Sequence, residues 1–69
     1  MARVSYAKLW DLLEAKGYKK MDLYTKAKIS TNALAKLGRD EDVRVNILVK
    51  ICTFLGCKFD EIVEIIIDD

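Results

Sequence analysis

Lys20-Met21-Asp22-Leu23-Tyr24-Thr25-Lys26-Ala27-Lys28-Ile29-Ser30-Thr31-Asn32-Ala33-Leu34-Ala35-Lys36-Leu37 reads as two short amphipathic helices joined by a tight connection. Leu23, Tyr24 and Ala27 put one apolar face on the first helix; Ala33, Leu34 and Leu37 recur at helical spacing on the second. Ile29, in the connection Lys28-Ile29, is the apolar wedge between them, and the layout is a helix-turn-helix. Ser30 is placed to cap the second helix, its hydroxyl accepting one backbone N–H and leaving the remaining amides and the positive helix end facing outward. Thr31, Asn32, Ala35 and Lys36 fall on the face opposite the apolar stripe. Short polar side chains at a helix start, with a lysine one turn on, can reach base edges and phosphates in a major groove.

Charge is divided along the chain in the same sense. Residues 1–39 carry nine Lys/Arg against Asp11, Glu14 and Asp22, a local charge of +6; residues 40–69 carry three Lys/Arg against eight acids, a local charge of −5. A net charge of +1 hides this. The basic half is the one that holds the helix-turn-helix, which is the electrostatic footprint expected of a polyanion binder.

Outward from the motif, periodicity predicts three more helices. Tyr6, Leu9, Trp10 and Leu13 form a stripe that Ser5 can cap and Lys16-Gly17 can end. Ile47/Leu48, Ile51/Cys52 and Phe54/Leu55 predict a helix from about Arg44 to Leu55, stopped by Gly56. Phe59, Ile62, Val63 and Ile66 predict a short fifth helix from about Asp60, with acidic residues at its positive end. Gly17, Gly38 and Gly56 each follow an apolar-periodic segment, where a left-handed helix terminus is expected. Ile65-Ile66-Ile67 suits a strand better, and Ala2–Val4 aligned with Glu64–Ile67 would make a small two-stranded element, within one chain or between two. The expected fold is all-α: a five-helix bundle, with that two-stranded element from the termini, in one domain over residues 1–69.

Composition excludes several classes of function. There is no histidine and only Cys52 and Cys57 as thiols, so no tetrahedral metal site is complete in one chain and the cysteines read as structural. No run reaches the roughly 18 apolar residues of a membrane span, and the start Met1-Ala2-Arg3-Val4-Ser5 lacks a signal-peptide core, which gives a cytoplasmic expectation. Asp40-Glu41-Asp42 reads as a solvated turn rather than a cation loop. Nothing supplies a nucleophile, a base and an oxyanion site together, so the chain is not expected to be an enzyme or to bind a cofactor or small-molecule substrate.

The stretches Lys8–Leu13, Asp22-Leu23, Ile29–Leu37 and Leu48–Cys52 carry a resemblance to the XRE-type helix-turn-helix family, the Cro and phage-repressor group, and in particular to its short stand-alone bacterial and phage members. It covers nearly the whole chain. The resemblance implies a five-helix bundle of the lambda-repressor-like DNA-binding type, a homodimer on a double-stranded DNA operator and a role as transcriptional repressor or activator. It implies that Lys20 and Ser30 meet the DNA backbone and that Thr31, Asn32 and Lys36 occupy base-reading positions, with Lys19, Lys28 and Arg39 as further basic DNA contacts. Two residues depart from the pattern. Lys28 stands where glycine commonly takes a left-handed backbone, at a cost of roughly 1 kcal/mol, and Tyr24 stands where a small residue lets the helices approach. They support an alternative: a protein-interaction module, antirepressor- or antitoxin-like, on the same fold. The apolar surplus Ile62 to Ile67, with Val4, is the expected dimer surface.

Overall fold

A computed structural model describes residues 2–67. Strand β1 (Ala2–Ser5) leads into helices α1 (Ala7–Ala15), α2 (Lys20–Thr25), α3 (Thr31–Gly38) and α4 (Val45–Leu55), then a 3-10 turn (Phe59–Glu61) and strand β2 (Glu64–Ile67). The helices close around Tyr6, Leu9, Leu13, Leu23, Ala27, Ile29, Leu37, Ile51, Cys52, Leu55 and Ile62. These are the stripe residues of the periodic segments, with Ile29 buried as the wedge between α2 and α3. Among the described residues no helix is long and apolar enough to cross a membrane.

The expected fifth helix is absent: the described residues hold four α-helices and a single 3-10 turn. The acidic start is present, with the Lys58 N–H donating to the Glu61 carboxylate at 2.8 Å. Propagation fails because Ile62 is drawn into the core and Glu64 already pairs with Ser5. Only a few residues lie between, and the β-branched Ile65-Ile66-Ile67 prefers the extended state. The strands pair antiparallel within the chain, Ala2 opposite Ile67 and Val4 opposite Ile65. Ile62 therefore belongs to the core, whereas Ile65 and Ile67 are 61% and 73% exposed.

Two helix ends differ from expectation. Ser5 closes β1 instead of capping α1; the cap position is Tyr6, and the Ser5 hydroxyl accepts only a long 3.4 Å bond from the Ala7 N–H. Gly38 stays helical, and the left-handed residue after α3 is Asp40, at φ +55°. Aspartate tolerates that conformation better than most residues, and here the Tyr6 N–H donates to its carboxylate at 3.0 Å. The Tyr6 hydroxyl donates to the Glu41 carbonyl at 2.8 Å, so Tyr6 grips the segment that follows α3 at two points. Burial, then the charges of Asp42 and Asp40, push the Tyr6 phenol above its ordinary pKa. Gly56 does end α4 left-handed, at φ +67°.

Trp10 is half-buried against the core rather than inside it. Tyr18 packs on Phe54 with ring centroids 4.8 Å apart, a structural use of that tyrosine.

At the end of α4, the Gly56 and Cys57 N–H groups both donate to the Cys52 carbonyl, at 2.7 and 3.1 Å. Cys52 is buried and Cys57 only partly so. Burial, and next the neighbouring Cys57 thiol, push the Cys52 thiol up to about 11, which leaves almost no thiolate at neutral pH. A disulfide reagent should therefore label Cys57 first and Cys52 only as the protein opens. Cys52→Ser should lower stability by about 1 to 3 kcal/mol, the cost of a buried hydroxyl without a partner. Equal labelling rates for the two thiols in the native state would show Cys52 to be accessible.

Candidate nucleic-acid interface

α3 begins at Ser30, whose backbone is extended (φ −74°, ψ 158°) and whose hydroxyl accepts the Ala33 N–H at 3.1 Å. The cap satisfies one of the four N–H groups that a helix start leaves without intrahelical partners, and the rest form a patch of positive potential. Ala33 and Leu37 are buried, which turns Thr31, Asn32, Ala35 and Lys36 to solvent. The exposed face is thus set by the buried one, as the helical repeat requires.

A shallow groove alongside α3 is lined by Ser30, Asn32 and Lys36 from the helix-turn-helix and by Arg44 and Asn46 from the start of α4. Arg44 occupies the cap position of α4 with no side-chain cap bond. Two helix N-termini, two amides and two cations therefore border one groove. Sequence reasoning did not pick out Arg44 or Asn46. Their polar character ahead of an apolar helix was visible, but their place beside Asn32 depends on how α4 crosses α3, which no local pattern encodes.

The remaining basic positions are spread out. Lys20 opens α2, and its ammonium lies 4.7 Å over the Trp10 ring, a cation–π contact that orients the chain without neutralising it. The Lys19 N–H donates to the Asp22 carboxylate at 2.8 Å, capping α2, while its side chain is exposed. Arg39 is engaged by Glu41, its Nε at 2.7 Å from one carboxylate oxygen and its second nitrogen at 3.4 Å from the other. Both side chains are largely exposed, so the pair adds little stability, though it offsets the Arg39 charge locally. The hydrogen bond with Arg39 holds the Glu41 carboxyl below its ordinary pKa.

Lys28 takes the left-handed conformation that the turn demands, at φ +66°. Tyr24 leans outward, 44% exposed, while Leu23 takes the buried position of α2. Both departures from the family pattern are accommodated without opening the motif: the Ile29 N–H reaches the Leu23 carbonyl at 3.2 Å.

The sequence profile of the Cro/C1-type HTH DNA-binding domain matches residues 8–68. A solved crystal structure, that of the transcriptional regulator VanUg, superposes with a TM-score of 0.92 at 40% sequence identity. The match covers 97% of this chain and 89% of that one. No curated protein matches the chain.

Proposed function

The chain belongs to the Cro/C1-type helix-turn-helix DNA-binding family, and from that premise we propose that it is a sequence-specific transcriptional regulator whose α3 enters the major groove of an operator. Thr31, Asn32 and Lys36 read bases. Ser30 and Lys20 meet the backbone, with Lys19, Lys28 and Arg39 adding to the basic surface, and Arg44 and Asn46 flank the reading helix. The observation that carries this reading is the outward face of α3, polar and basic, held against a core by Ala33 and Leu37. The description of the solved relative as a transcriptional regulator supports it. The alternative of a protein-interaction module rests on Lys28 and Tyr24, and it is weakened because the turn accommodates both.

A single recognition helix buries modest area, so tight binding calls for two copies on half-sites about one helical turn apart. The exposed Ile65 and Ile67, on this two-stranded sheet, are the surface through which we propose that two copies join.

Selection of bound fragments from random duplex DNA by the purified protein should recover a two-fold symmetric site. Asn32→Ala should then weaken binding to that site by about 1 to 3 kcal/mol while leaving unrelated DNA nearly unaffected, because only base contacts discriminate sequence. Equal losses on both DNAs would remove Asn32 from base reading.

A further inference from the structure

Three shallow grooves run end to end along one side of the molecule. The first, beside α3, holds Lys36 and Arg44; it shares Ser30 and Ile47 with a second that holds Lys28 and Lys50; Lys50 also borders a third, which holds Lys26 and ends at Phe54. Among the described residues, five basic ones line this trench and no carboxylate does, in a chain with 11 acids against 12 bases. Eight of those acids lie in residues 40–69, which supply Arg44 and Lys50. The segregation is therefore spatial, not a by-product of composition.

Lys28 adds a second observation. A left-handed backbone is costly for any residue with a Cβ, yet the turn carries a lysine at φ +66°, its side chain exposed in the middle of the trench. Strain kept at an exposed charged position points to a use for the charge. The spacing supplies a third. Arg44, at the cap of α4, and Lys50 within it are six residues apart, about 9 Å along the axis at 1.5 Å per residue, a reach sufficient for neighbouring phosphates, which advance about 3.4 Å per nucleotide of each strand along the duplex axis.

We propose that this trench is a track for DNA phosphates flanking the bases that α3 reads, so that the protein grips more duplex than its recognition helix covers. The inference rests on the assignment of α3 as the reading helix, because the trench begins at Ser30, Lys36 and Arg44 and continues away from it. Lys26, Lys28 and Lys50 are its far wall, with Lys26 held over the Tyr18 ring at 5.3 Å.

The test compares the wild type with Lys26→Met/Lys28→Met/Lys50→Met on two duplexes carrying the selected site: one trimmed to the site, one extended by about ten base pairs on each side. On the extended duplex, the slope of log affinity against log salt should be shallower by about five for the variant, about 0.9 for each of the six phosphate contacts that a dimer loses. On the trimmed duplex the two proteins should agree. Equal slopes on the extended duplex overturn the track, and so does an equal loss on both duplexes, which would put the lysines within the site. Tighter binding of an acidic peptide than of flanking DNA by the wild type, abolished in the variant, also overturns it. Lys28→Gly separates charge from fold: relieving the strain should keep or raise Tm while the slope drops by about two, one for each Lys28 of a dimer, and an unchanged slope removes Lys28 from the track. Asn32→Ala measured in parallel keeps the two claims apart. If it leaves sequence preference intact, the assignment of α3 fails, whereas the lysine slopes judge the track by themselves.

Discussion

Replacing Ile65 and Ile67 by lysine is expected to give a folded monomer that binds the selected operator at least about a hundredfold more weakly than the wild type, because linking two modest half-site contacts is worth a factor of about 10² to 10⁴. The core should survive. Both side chains are more than half exposed, whereas the neighbouring Ile62, which is fully buried, is left in place. Four added cations in a dimer, two per chain, would also oppose each other across any interface built on this sheet. The substitution is a strict test because extra positive charge on its own strengthens non-specific binding to DNA. Light scattering supplies the decisive comparison: a wild type that is monomeric at micromolar concentration, free and on DNA, would sink the dimer. A double variant that unfolds would return the strand to the core.

Leu37→Ala should produce the largest loss of stability, about 3 to 5 kcal/mol from lost burial and the cavity left behind. Leu37 is fully buried on the inner face of α3 and joins the core shared by all four helices. Domains of this size hold only about 5 to 15 kcal/mol in total, and each kcal/mol is worth roughly 4–8 °C in Tm, so the variant should melt tens of degrees lower. Its neighbour is the control. Lys36 is exposed, so Lys36→Ala should leave Tm nearly unchanged while weakening DNA binding and flattening its salt dependence. Calorimetry and a salt titration on the same two proteins would separate holding α3 from using it. A Leu37→Ala protein with wild-type Tm would contradict the assignment of α3 to the core.

Local signals account for what could be read in advance. The Ser30 cap, the Ile29 wedge and the buried face of α3 each follow from spacing within a few residues, and a two-stranded element from the termini follows from β-branching at Ile65-Ile66-Ile67, whereas its antiparallel register, Val4 opposite Ile65 within one chain, has no such local signal. The fifth helix was misread because Phe59, Ile62, Val63 and Ile66 satisfy a helical stripe while their side chains answer to a buried site and a strand. Ser5 and Gly38 were misread at helix ends, where a tertiary hydrogen bond from Tyr6 made Asp40 the left-handed residue instead. Arg44 and Asn46 joined the interface only once α4 was placed against α3. Residues whose partners lie far along the chain carry no local signature.

Tyr6 has a consequence for operator geometry. It is the first residue after β1, and its backbone and hydroxyl both fasten onto Asp40 and Glu41, directly beyond the reading helix. The sheet and α3 are in this way braced by a short rigid strut, with a mostly buried tyrosine as its pin. Two protomers joined through their sheets would then act as a caliper of fixed opening: any rotation at the joint carries the reading helices with it. Such a protein gauges the separation of its half-sites as well as their bases, and the gauge is set by two hydrogen bonds that lie beyond the end of the reading helix.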